Sequence, residues 1–293
     1  MVMGFFSSPL RLLEGFLMAR NVTRRVGGFV AAVALAAAAF GPTANAAERN
    51  IDYVNLGDSY SAGFGTGGIA NTGGCFQGSG ADHVSKLDAK KGVELTLDLA
   101  CGGFTTSDIT FYSQAVAAGE LSRAEVVTIT LGGNDLPWKE LVQACAMGSP
   151  EQCAWAFGSA QTALGSVGAN VYSTLSTIRS LTNARIVVLG YPQLFDGVYP
   201  NPYLSPGQIA GMRQLTTGLN AQIAGATAPI TNASFVDVNS WFGGHGVDSP
   251  DPWIYFNPTN LDDPNNLHPT SEGYLNAYYP ATMSAISFGL LGR

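Results

Sequence analysis

Five short apolar runs punctuate the chain, at residues 52–56, 95–100, 126–131, 185–190 and 234–238. Runs of this length and composition read as parallel strands buried on both faces. Longer segments between them read as helices. The clearest are 158–181 and 205–226, and Ser205, Pro206 and Gly207 open the second as a helix start. Strands alternating with helices predict an α/β fold in three layers, with a doubly wound, five-stranded parallel sheet at its centre. Three stretches stay irregular, 60–82, 191–204 and 239–266, rich in Gly, Pro, Asn and aromatic residues. Loops of that length usually carry function, so these are expected to wall a pocket.

The first 46 residues have a different character. Arg20, Arg24 and Arg25 precede an apolar stretch from Phe29 to Phe40, and Ala44, Asn45 and Ala46 stand before Ala47 as a small-residue cleavage site. This reads as a secretory signal, and Met18 stands where a more usual signal would start. Gly27 and Gly28 after the arginine pair favour ordinary secretion over twin-arginine export. No run approaches the roughly 20 apolar residues of a membrane span, so no integral anchor is expected. Residues 47–293 then form a single α/β domain, read as a monomer, whose product is secreted or held at the cell envelope. Of the chain's 14 basic and 21 acidic residues, Arg11, Arg20, Arg24, Arg25 and Glu14 fall in the leader; the remainder carries 10 and 20, a net −10. Such a balance excludes nucleic acid as a partner.

Candidate chemistry sits where runs end. In YVNLGDSYSAG, Ser59 follows the first run in a Gly-rich turn; TITLGGNDL, residues 128–136, closes the third; and NNLHPTSEGY, residues 265–274, places His268 before the last helical segment. A serine hydroxyl needs a base to take its proton, and the oxyanion formed on attack needs preorganised donors. Together with CGGFTT at 101–106, this set resembles the SGNH, or GDSL, hydrolase superfamily, specifically secreted actinobacterial esterases and lipases. The resemblance implies strand order 2-1-3-4-5, Ser59 as nucleophile and His268 as base. It also implies an oxyanion hole from the Ser59 N–H, the Gly103 N–H and the Asn134 amide. Four cysteines permit three pairings. Chain order suggests Cys75 with Cys101 and Cys145 with Cys153, which match bridges usual in that superfamily.

One departure concerns the residue that orients the base. The superfamily usually has an Asp three residues before the His, where this chain has Asn265. A neutral oxygen of residue 265, above all its main-chain carbonyl, is the expected orienting group, with Asp262 and Asp263 as displaced carboxylate alternatives. Other motifs carry less. Gly63, Gly65 and Gly68 spell a dinucleotide fingerprint too far beyond the strand end, no GxSxG elbow occurs, and the cysteines and His83, His245 and His268 lack metal-site spacing. His83 reads as a surface residue, and His245 as an exposed or substrate-loop residue. Tyr60, Phe64, Phe104, Tyr191, Phe242 and Trp253 are expected at the pocket entrance. The expectation is a secreted serine esterase or lipase, needing no metal or cofactor, that cleaves small-molecule or lipid esters through an acyl-enzyme. Phospholipase A activity, carbohydrate acetylesterase activity and a catalytically idle cell-surface binding protein are the alternatives.

Overall fold

The computed structural model describes residues 50–72 and 74–287. The expected signal segment and cleavage site lie outside them. Among the described residues seven strands run in chain order: β1 (Ile51–Gly57), β2 (Ile69–Thr72), β3 (Cys75–Gly78), β4 (Val93–Asp98), β5 (Val126–Thr130), β6 (Arg185–Leu189) and β7 (Ala233–Val236). Five of them form one parallel sheet in the order β4-β1-β5-β6-β7. Counting those five alone, the order is the expected 2-1-3-4-5. Every β5 residue is buried, as is nearly all of β1 and β6, because helices cover both faces and apolar strands are the stable solution there.

The helices are α1 (His83–Asp88), α2 (Thr106–Ala115), α3 (Ala118–Leu121), α4 (Trp138–Met147), α5 (Pro150–Leu181), α6 (Pro206–Thr227), α7 (Asn239–Phe242), α8 (Ser271–Gly273) and α9 (Tyr279–Ala285), the last two joined by a π turn over Tyr274–Tyr278. Helix α5 starts eight residues earlier than its apolar pattern predicts. Ser149 caps it in a reciprocal box with Gln152, and Pro150 holds the first helical position. Helix α4 was not predicted. Its cysteine is tied to α5 by the Cys145–Cys153 bridge, which fixes the angle between the two helices.

The stretch 60–82 also proves more ordered than its composition suggests. It contains an antiparallel hairpin, β2 against β3, that is separate from the main sheet. Its four-residue strands are half-exposed and carry no apolar alternation, so nothing in the pattern marked them. The Cys75–Cys101 bridge and a Gly102 N–H···O=C Phe76 bond of 2.9 Å pin the hairpin to the loop after β4.

A polar column runs up the sheet toward its carboxyl edge. Tyr53 and Thr128 hydroxyls lie 2.6 Å apart, Thr128 donates to Asn55 Oδ1 at 2.9 Å, and Asn55 Nδ2 reaches Asp98 Oδ1 at 2.8 Å. Buried polar side chains in strands persist only when paired, and each of these is. The column ends under the turn that carries Ser59.

Candidate active site

Ser59 sits two residues beyond β1, Gly103 follows β4, and Asn134 follows β5. These are three adjacent strands, so the sheet order alone brings the blocks to one edge. The turn that carries Ser59 is held by Asp58, whose carboxylate is fully buried. Its Oδ1 accepts from the Tyr60 N–H at 3.0 Å and the Thr130 hydroxyl at 2.7 Å, and its Oδ2 accepts from the Tyr191 hydroxyl. Burial raises the Asp58 pKa, opposed by those three donors. The Tyr191 hydroxyl also accepts from the Gly133 N–H at 3.0 Å, so one phenol couples the GDSY turn to the GGND turn. Asp135 couples GGND to the CGGFTT block, accepting from the Thr106 N–H at 3.1 Å and the Thr106 hydroxyl at 2.6 Å.

Two main-chain donors at this edge are left unused by the fold. Among the described residues, the N–H groups of Ser59 and Gly103 have no hydrogen-bond acceptor. Gly103 adopts φ +84°, a left-handed conformation that suits glycine, and a Cβ there would meet open space. The neighbouring Gly102 differs, because a Cβ on it would stand 2.3 Å from the Phe64 ring. Asn134 gives one amide hydrogen to the Phe104 carbonyl at 2.9 Å, which leaves its second facing the cleft.

His268 arrives from the far side, at the end of the long loop after β7. Its Nε2 lies 2.7 Å from Ser59 Oγ. Burial pushes its pKa down to about 4, opposed by the main-chain oxygens of Asn265 and Asn266. Those carbonyls lie off ordinary hydrogen-bond geometry, for Nδ1 is sealed from solvent without a partner that meets it. The ring rests between Tyr60 and Phe64, with centroids 5.0 and 5.3 Å away. Gly65 backs it closely, since a Cβ on Gly65 would lie 3.0 Å from that of His268 and 2.3 Å from the Pro269 carbonyl oxygen. The three glycines that spell a dinucleotide fingerprint thus belong to the loop that backs the imidazole.

Among the described residues no side-chain carboxylate reaches the imidazole. Asp262 pairs with Lys139 at 2.9 Å on the surface. Asp263 accepts from the Tyr255 hydroxyl and the Asn265 N–H, both at 3.0 Å. The Asn265 side chain is turned away as well, its Oδ1 accepting from the Gly65 N–H at 2.9 Å.

The cleft between these groups has a volume of about 340 Å³. Trp138 and Val142 of α4, Leu219 of α6, and Phe256, Leu261 and Leu267 of the loop that carries His268 give it apolar walls. Tyr60, Phe64 and Tyr191 line it as expected. Phe104 instead stacks on Tyr112, and Phe242 and Trp253 pack against each other behind the base, so these three do not line it. Aromatics in a long loop bury themselves wherever a partner offers, which composition alone does not reveal.

His83 is not at the surface. It is wholly buried and stacked on Tyr274 at 5.4 Å, because the Asp82 cap that starts α1 turns it inward. His245 lies outside the cleft, flat against the Trp253 ring at 3.6 Å. Asp58, Thr106, Asp135 and Thr130 were not singled out from sequence, although all four lie inside blocks that were. Among the described residues no group of His, Cys, Asp and Glu is arranged to hold a metal, and no helix is long and apolar enough to cross a membrane.

Comparison with known proteins agrees with this geometry. The model of the GDSL-like lipase/acylhydrolase family matches residues 56–275. Lipase 1 of Streptomyces coelicolor is 31% identical, over 89% of this chain and 98% of its own. A lipase of Streptomyces rimosus is 30% identical, over 85% and 93%. Among solved structures, an extracellular lipase from Streptomyces rimosus superposes with a TM-score of 0.70 at 27% identity, covering 80% of this chain and 100% of that one. Phospholipase A1 from Streptomyces albidoflavus superposes with a TM-score of 0.69 at 26% identity, covering 81% and 100%. With three-quarters of the chain under the family model and relatives aligned over nearly their full length, the chain belongs to the GDSL-like lipase/acylhydrolase family of ester hydrolases.

Proposed function

We propose that the protein is a secreted serine lipase or esterase in which Ser59 and His268 work as a dyad. The observation that carries this reading is the 2.7 Å contact between His268 Nε2 and Ser59 Oγ at the floor of an apolar cleft. Burial holds the imidazole neutral at neutral pH, the form able to accept the serine proton. As Ser59 Oγ attacks the ester carbonyl, the negative charge moves to the carbonyl oxygen. The Ser59 N–H, the Gly103 N–H and the Asn134 amide are the donors placed to receive it. The imidazolium then gives its proton to the departing alcohol, leaving an acyl-enzyme. Water, deprotonated by the same His268, attacks that ester and releases the acid.

The cleft walls favour an aliphatic acyl chain over the acetyl group of a carbohydrate ester. Trp138, Val142, Leu219, Leu261 and Leu267 offer such a chain burial worth about 0.8 kcal/mol per methylene. Phospholipid acyl hydrolysis stands as a second reading, favoured by the fold shared with phospholipase A1. Against it, Lys139 is the one lysine or arginine among the described residues lining the cleft, and it is paired with Asp262. Both dyad residues come from one chain, which supports action as a monomer. The extracellular lipase among the structural neighbours supports export.

The test is a scan of p-nitrophenyl esters with wild type and Ser59→Ala, together with mass-spectrometric mapping of a fluorophosphonate probe. Labelling on Ser59 is expected, with no hydrolysis by the folded variant and a preference for acyl chains longer than acetyl. Unchanged turnover in Ser59→Ala would overturn the reading.

A further inference from the structure

With no carboxylate on His268, something else must hold the imidazole against Ser59, and the backbone around it is unusual. Leu267, the residue before the base, has φ +66°, one of two non-glycine residues with positive φ among the described residues. A bulky side chain in that conformation costs free energy and persists only where its surroundings impose it.

Each backbone polar group on either side of the Leu267–His268 peptide is engaged. The Leu267 N–H donates to the Tyr255 carbonyl and the Tyr255 N–H to the His268 carbonyl, both at 2.8 Å, and the His268 N–H reaches the Asn265 carbonyl at 3.3 Å. All three are bonds within the base loop and travel with it. The fourth comes from outside, for the Leu267 carbonyl accepts from the Tyr60 hydroxyl. Tyr60 is the residue immediately after the nucleophile. Its ring also lies 5.0 Å from the imidazole centroid and meets the Tyr191 ring edge-on at 5.0 Å. Its phenol is 9% exposed, and burial with Asp58 nearby keeps it protonated, hence a donor.

We propose that Tyr60 is a positioning residue, which locks the strained Leu267 carbonyl with its hydroxyl and holds the His268 ring with its face, in place of a carboxylate. The nucleophile's own turn thereby sets the place of its base. If the hydroxyl is lost, Leu267 is free to relax to negative φ. That rotates the Leu267–His268 peptide and swings Nε2 away from Oγ.

The inference rests on the Ser59–His268 reading, so His268→Ala is measured alongside. Tyr60→Phe keeps the ring and removes the hydroxyl. Its kcat is expected to fall about 10- to 100-fold, as for a misplacement near 1 Å. KM should stay within about two-fold, because binding in the cleft is unchanged. Fluorophosphonate labelling of Ser59, which needs the base but not the acyl cleft, should slow by the same factor. The loss should shrink in a Leu267→Asn background, since Asn adopts positive φ more readily. Wild-type kcat in Tyr60→Phe, a loss confined to KM, unslowed labelling, or an equal loss in the Leu267→Asn background would each overturn the lock. If His268→Ala itself stays active, the dyad fails. If His268→Ala is inactive and Tyr60→Phe is normal, only the lock fails.

Discussion

The two halves of this site are built by different means. On the nucleophile side, Ser59, Gly103 and Asn134 leave the ends of three neighbouring strands, and their turns are joined by side chains that are all paired: Asp58 to Thr130 and Tyr191, Tyr191 to Gly133, Asp135 to Thr106. On the base side, His268 ends a long loop with little regular structure. It is held by backbone bonds and aromatic packing, and its Nδ1 lacks a partner of ordinary geometry. The first half is rigid because hydrogen bonds in a buried network support one another. The second depends on the first, since Tyr60 and Gly65, both in the segment that follows Ser59, bond into the loop.

The comparison breaks most sharply at the base. His268→Ala should lower kcat roughly 10⁴-fold, because acylation and deacylation both need its proton transfers. His83→Ala should leave catalysis intact, because that ring lies behind Tyr274 and Tyr278. Steady-state kinetics on one soluble ester separates the two. Next comes Asn134→Ala, expected to cost roughly 10²- to 10³-fold in kcat with KM little changed. A change confined to KM would remove Asn134 from the oxyanion hole.

The sheet-edge half was the more legible from sequence. Strand runs ending in GDSY, CGGF and GGND predicted the parallel sheet, and the family resemblance carried by those blocks supplied the strand order and the meeting of Ser59, Gly103 and Asn134. The coupling through Asp58 and Tyr191 was not legible, because 133 residues separate them and nothing local marks the pair. The base half was legible only as a histidine beside a missing Asp. Whether Asp262, Asp263 or Asn265 faced the ring depended on loop geometry, and the strain at Leu267 has no sequence signature. His83 misled for a related reason: polar neighbours suggest exposure, yet the Asp82 cap turns the ring inward.

Stability sharpens the contrast. Asp58→Ala leaves the Thr130 and Tyr191 hydroxyls and the Tyr60 N–H without their buried acceptor. A destabilisation of about 2–4 kcal/mol in denaturant unfolding is expected. The histidines give a smaller, pH-dependent effect. Burial lowers both His83 and His268 from 6.5 to about 4. Between those pH values the unfolded chain binds more protons than the folded one, so stability is complete above about pH 6.5 and falls as pH drops toward 4. His83, wholly buried and without a hydrogen bond at either nitrogen, should account for roughly 3 kcal/mol of that loss. His268, with one edge at the cleft, should account for less. Unfolding of wild type and His83→Phe from pH 7 to pH 4.5 checks this, with a shallower decline expected in the variant.

The smallest expected effect bears most directly on how the base is held. Asp262→Asn and Asp263→Asn, singly and combined, remove both carboxylates of the segment leading into His268 while keeping acceptors for Lys139, Tyr255 and Asn265. Asn265→Ala keeps the main-chain carbonyl and removes the side-chain bonds to the Gly65 N–H and to Asp263. Measured as kcat beside His268→Ala, all of these variants are expected to stay within about five-fold of wild type, as for the loss of solvent-exposed contacts. A carboxylate variant as inactive as His268→Ala would mean that the base has an acidic partner after all, and that the base is not held by packing and backbone alone.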